Sequence, residues 1–140
     1  MANTIHVDIV SAEGEIFSGP AKMVFLPAAE GEIGIAPRHA PLLALLKAGE
    51  VRVQPPDGDE QSFYVGGGAL EVQPARVTVL ADTAARAADL DEAAALAARQ
   101  RAEEALAGKI DKIEQAEALA ELARAAAQLK LIERLRKIRG

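Results

Sequence analysis

The chain has no cysteine among its 140 residues. Disulfides, thiolate metal sites and cysteine nucleophiles are therefore excluded. Aromatic residues make up only 3%, too few for a stacking platform on single-stranded nucleic acid. Positive charge is also in deficit: 16 Lys and Arg against 21 Asp and Glu give a formal net charge of −5. Phosphate binding needs a basic face, so nucleic acid is not expected as the main partner. No apolar run approaches the ~18 residues of a membrane span. The opening MANTIHVDIV lacks a basic flank, and Asp8 interrupts its apolar stretch, so no signal peptide is expected. Only two histidines are present, His6 and His39, and without tight spacing they make no metal signature.

What is present is unevenly placed. All seven prolines lie at or before Pro74, and nine of the eleven glycines at or before Gly68. The last valine is Val79, and fifteen of the fifty residues from Asp91 onward are alanine. Such a break predicts two modules, 1–86 and 87–140. The first reads as β. In TIHVDIV, apolar Ile5, Val7 and Ile9 alternate with His6 and Asp8, the period of a half-buried strand. KMVFLP, EIGIA, LLALL, EVRVQ, SFYVG, ALEVQ and RVTVLA follow, with a hairpin signal at Asp57-Gly58. About ten short strands in a flattened β-sandwich are expected.

The second module reads as an antiparallel two-helix hairpin. Asp89 with Glu92 suits the start of the first helix, and Gly108 a left-handed end. Asp111 with Glu114 suits the start of the second. The alanine-rich faces allow close approach but bury little area per residue, which predicts a weak interface. Arg124, Lys130, Arg134, Arg136, Lys137 and Arg139 crowd the end of the last helix, with Leu131, Leu135 and Ile138 at helical spacing. This basic amphipathic tip predicts an acidic protein or membrane surface as partner, with dipole complementation and solubility as the plain alternative.

The stretch EGEIGIAPRHAPLL, residues 30–43, sets Glu30, Glu32 and His39 around a loop stiffened by Pro37 and Pro41. A histidine beside carboxylates can act as a general base. No nucleophile or zinc motif accompanies it, which favours an interface over catalysis. The GGG at 66–68 follows a strand, but another strand-like run comes after it. That predicts backbone bends or a close strand crossing rather than a phosphate loop.

HVDIVSAEGEIFSG (6–19), EGEIGIAPRHAPLL (30–43), GGGALEV (66–72), VTVLADTA (77–84) and DLDEA (89–93) stand in one order. With them the chain resembles, along essentially its whole length, the epsilon-subunit family of bacterial F-type ATP synthases. The resemblance implies a non-catalytic central-stalk rotor subunit, peripheral on the cytoplasmic face of the cell membrane. Its partners would be the gamma subunit, the proton-carrying c-ring and the catalytic alpha and beta subunits. It implies c-ring contact through Glu30, Glu32 and His39, and gamma contact at Ser11. It also implies a regulatory hairpin whose tip, Arg134, Arg136 and Lys137, inhibits ATP hydrolysis. Some members bind ATP through I/L-D-x-x-R-A. Here Leu90 and Asp91 match, but Ala94 stands at the arginine position, and the resemblance leaves Arg124 as the match to a second basic position. No cofactor is therefore expected. A stand-alone adaptor is the alternative, and a small enzyme using His39 a third reading.

Overall fold

The computed structural model describes residues 3–139. Eight strands precede two helices: β1 (Ile5–Ser11), β2 (Gly14–Ala21), β3 (Met23–Ala28), β4 (Gly31–Ile35), β5 (Leu42–Gln54), β6 (Gln61–Gln73), β7 (Arg76–Ala81) and β8 (Ala84–Arg86). A single 3-10 turn, Ala87–Asp89, leads to α1 (Glu92–Ala107) and α2 (Lys112–Arg139). The chain divides into two compact units, one through Ala87 and one from Ala88.

The strands of the first unit form one sheet in the order β2-β1-β7-β6-β5-β3-β4, with β8 on β6. All pairings are antiparallel except β1 with β7. The predicted alternation in β1 holds, since Ile5, Val7 and Ile9 are fully buried. They join Val24, Leu26, Val51, Val53, Phe63, Val65, Leu70, Val72, Val77 and Val79 in one core.

The strand count differs from the expected ten. LLALL and EVRVQ are one thirteen-residue strand, β5, and SFYVG and ALEVQ are another, β6. The glycines between them bend the strands without ending them. On β6 the residues that enter the core cluster are Phe63 and Val65, then Leu70 and Val72, while Tyr64 is buried outside that cluster. Two residues of period would carry 63 and 65 onto 69 and 71, so the phase slips by one within GGG. Gly67 and Gly68, at φ 102° and 138°, allow that slip, because a side chain is strained in this region. On β5 the burial likewise shifts from Leu46 to Val51 and Val53. Both halves of each strand thus face the same core. The glycines act as bends, as expected.

In the second unit the start of α1 is two residues later than expected. Asp91, not Asp89, is the N-cap, and its Oδ1 accepts from the Ala94 N–H at 3.1 Å. Asp89 is taken up by the 3-10 turn. Gly108 ends α1 in extended conformation, φ −90° and ψ 179°, so the left-handed end predicted there is not formed. Instead its N–H donates to Ala105 O at 3.3 Å. Asp111 caps α2 as predicted, accepting from Glu114 N–H at 2.8 Å. The helices pack antiparallel, with Ala95 and Ala102 of α1 and Ala118, Ala125 and Leu131 of α2 buried. Four of these five are alanine, which keeps the apolar area per contact small.

Candidate functional site

The opening polar loop is held by its backbone. Arg38 adopts φ 66°, an uncommon conformation for a non-glycine residue. Its N–H donates to Pro74 O at 2.9 Å, tying the loop to the β6–β7 turn. The His39 N–H donates to Ala36 O at 3.2 Å. Its Nδ1 lies 2.7 Å from Ala40 O, and because a carbonyl only accepts, Nδ1 carries the proton. Glu30 is exposed in the β3–β4 turn beside Gly31. Glu32, on β4, pairs with Arg52 at 3.0 Å. That guanidinium also lies 4.4 Å over the Phe25 ring and 3.7 Å from Glu60. Glu30, Glu32 and His39 therefore do not form one cluster. Glu32 is held by Arg52 and His39 by the backbone of its own loop, while Glu30 stands exposed in its turn.

Beside the carboxylates lies an apolar surface that composition did not reveal. Leu43 is 77% and Leu45 70% exposed. With Leu42 and residues 28–33 they line an open groove that also includes Glu30 and Glu32. Across the sheet Leu45 pairs with Ala69 and Ala69 with Leu80, so exposed Leu80 extends the row. A contiguous apolar row rimmed by carboxylates is the signature of a docking surface. The signal was in LLALL: leucines at 43 and 45 share one strand face, while Ala44 and Leu46 on the other face meet the core.

Ser11 is buried, and its Oγ accepts from the Glu13 N–H at 3.3 Å, fixing the β1–β2 turn. At the other end of the chain, Arg136 Nη2 bonds Glu92 Oε2 across the hairpin. Lys137 pairs with Glu133 at 3.5 Å. Of the expected apolar strip, Leu131 is buried and Ile138 is exposed, so the strip is divided between packing and solvent. The side chain of Arg139 lies outside the described residues. At the nucleotide motif, Asp91 caps α1 by accepting from the Ala94 N–H, and Ala94 stands where the motif has its arginine.

A second polar cluster escaped the sequence reading. His6 Nε2 lies 3.0 Å from both Asp8 Oδ1 and Ser18 Oγ. Ser18 Oγ–H donates to Asp8 at 2.7 Å, and Arg76 Nη1 donates to its other oxygen at 2.6 Å. The register brings them together: Asp8 opposes Ser18, and His6 opposes Arg76. This is not a nucleophilic triad. Such a triad needs serine and carboxylate on opposite ring nitrogens, and here both face Nε2. Burial pushes the Asp8 carboxyl up, but the Ser18 hydrogen bond, His6 and Arg76 outweigh it and hold the group below its ordinary value. The cluster is a clamp joining β1, β2 and β7. Asp8→Asn should lower stability at neutral pH by about 1–3 kcal/mol. Because the folded carboxyl is depressed, its stabilisation is complete above the unfolded value and is lost as pH falls through the folded one. Denaturant midpoints of parent and variant should differ at neutral pH and converge in acid. Equal midpoints at neutral pH would show that the clamp contributes nothing.

Among the described residues no helix is long and apolar enough to cross a membrane. The family model described as ATP synthase, Delta/Epsilon chain, beta-sandwich domain, matches residues 4–87. The one described as ATP synthase, Delta/Epsilon chain, long alpha-helix domain, matches residues 88–133. The ATP synthase epsilon chain of Nitrosococcus oceani is 66% identical over 140 residues, covering 100% of both chains. That of Alkalilimnicola ehrlichii is 63% identical over 135 residues, covering 96% of each. Among solved structures, a chain of the Euglena gracilis mitochondrial ATP synthase (OSCP/F1/c-ring) matches with TM-score 0.71 at 18% identity, covering 100% of this chain and 84% of that one. A chain of the Tetrahymena thermophila mitochondrial ATP synthase (central stalk/c-ring) matches at TM-score 0.65 and 12% identity, covering 91% and 96%. These two likenesses concern the fold. With both family domains in order and full-length identity of this size, the chain belongs to the ATP synthase delta/epsilon family, as an epsilon chain and a non-catalytic subunit.

Proposed function

We propose that the β unit attaches the chain to the rotor, joining the gamma subunit to the c-ring on the cytoplasmic face of the bacterial membrane, and that the helical unit regulates ATP hydrolysis. The observation that carries the attachment reading is the apolar row Leu43, Leu45 and Leu80 rimmed by Glu30 and Glu32. Apolar area supplies affinity in such a surface, while rim carboxylates set orientation toward polar or basic loops. The loop bearing His39 is already ordered by Arg38 N–H on Pro74 O, so little entropy remains to be lost on docking. Ser11, with its hydroxyl bound to the Glu13 N–H, contributes to gamma contact through turn geometry rather than as a free donor. No nucleotide site is proposed, because the motif lacks its cation at Ala94.

Glu30→Lys with Glu32→Lys tests this reading. Single rim charge pairs are worth about 1 kcal/mol or less, so two reversals together should weaken docking on the order of tenfold. Proton pumping per ATP hydrolysed, in vesicles carrying the assembled enzyme, should fall. Glu32→Lys also places a cation beside Arg52, so a melt of the free subunit must accompany the assay. Unchanged pumping with a well-folded variant would remove both residues from the interface.

A further inference from the structure

The free end of the helical hairpin is closed by charge. α1 and α2 run antiparallel, joined by the short stretch 108–111. Arg101 meets Glu121 across the helices at 3.3 Å. Glu92, the first residue of α1, meets Arg136 near the end of α2. The second pair therefore lies at the end remote from the link, where unzipping of two helices begins. Between the helices the buried residues are mostly alanine, so the apolar contribution to closure is small. An ion pair at the open end then weighs more against opening than it would beside a leucine interface.

We propose that Glu92 is an internal clasp for the basic tip: it holds Arg136, keeps the hairpin closed, and so competes with an acidic protein surface for the same cation. The carboxylate of Glu92 offers Arg136 the chemistry that an acidic partner would offer. Opening the hairpin and binding that partner both require the Glu92–Arg136 pair to break. The clasp is weak by design of its surroundings, since the two side chains are 42% and 67% exposed and water screens them. A weak clasp suits a hairpin that must open and close. The inference rests on the regulatory reading of the tip, but the clasp can be measured apart from it.

Glu92 also complements the N-terminus of its own helix, so the test must separate the two effects. The full-length chain has no cysteine, and Ala97→Cys with Lys130→Cys introduces two exposed label sites. Spin-label distances then report the closed and open populations. Glu92→Gln should raise the open fraction, by up to about fivefold for an exposed pair. In an Arg136→Gln background the same change should do nothing further. The effect should also shrink near ~1 M salt, where the Debye length is about 3 Å. An unchanged open fraction, or an equal rise in both backgrounds, would overturn the clasp. In the assembled enzyme, Glu92→Gln should deepen inhibition and lower ATP hydrolysis. If the hairpin opens but hydrolysis stays unchanged, the inhibitory reading of the tip fails while the clasp itself stands.

Discussion

A chain carrying alanine at Gly68 should fail to form the native sandwich. Gly68 sits at φ 138°, where an L side chain is strained by about 1–3 kcal/mol before any contact is counted. A Cβ there would stand 2.1 Å from Leu80 O, 2.9 Å from Ala81 Cα and 3.0 Å from Leu80 C. These are backbone atoms of β7, so no side-chain rotation relieves the overlap. β7 would have to move off β6, breaking the pairs Gly68 with Ala81 and Ala69 with Leu80. β7 also carries Val77 and Val79 into the core and pairs with β1, so the damage spreads through the sheet. A loss above ~4 kcal/mol is expected, a large share of the 5–15 kcal/mol typical of a whole domain. Gly58 is the control: its φ of 93° is also positive, but nothing lies within 4 Å of its Cβ position. Gly58→Ala should cost only the backbone strain. Denaturant midpoints of the two variants decide the matter. A Gly68→Ala midpoint close to that of Gly58→Ala would mean that the strand crossing yields easily.

The same glycines show where sequence reasoning reached its limit. Alternation in TIHVDIV placed Ile5, Val7 and Ile9 in the core correctly, because period two is a local property. Local signals also found the DG turn and the cap at Asp111. They indicated a bend at GGG but not that one strand runs on through it, because that depends on what the neighbouring strand does. Asp89 and Asp91 are equally good caps by composition, and the choice depended on the 3-10 turn before them. Of the candidate site, Glu30, Glu32 and His39 were legible as a polar loop. Their partners were not: Arg52 for Glu32 and Pro74 O for the loop come from strands far along the chain. The clamp of His6, Asp8, Ser18 and Arg76 was hidden for the same reason. It exists only once two registers are known. Exposed Leu43 and Leu45 were hidden by the opposite error, since LLALL reads as core until one face is seen to lack a covering layer.

Removing everything after Ala87 should leave a folded β unit and release ATP hydrolysis together. Among the described residues the core cluster of the β unit runs from Ile5 to Ala81. The truncated chain should therefore show a β-rich circular dichroism spectrum and a cooperative melt, with the helical signal of α1 and α2 gone. Glu30, Glu32, His39 and the apolar row all remain, so assembly and proton pumping should persist. The basic tip is lost with its scaffold, so hydrolysis by the assembled enzyme should rise severalfold if the helical unit inhibits. That rise should exceed the one from replacing Arg134, Arg136 and Lys137 by alanine. Alanine keeps helix propensity high, and the triple variant therefore removes charge while leaving the apolar residues in place. The ordering of the two increases carries the information. Equal increases would mean that the three cations account for inhibition by themselves. A rise confined to the truncation would assign inhibition to the packed helices and leave the cations as dipole complement. An unfolded fragment would contradict the independence of the β unit, and unchanged hydrolysis with retained pumping would remove the helical unit from regulation.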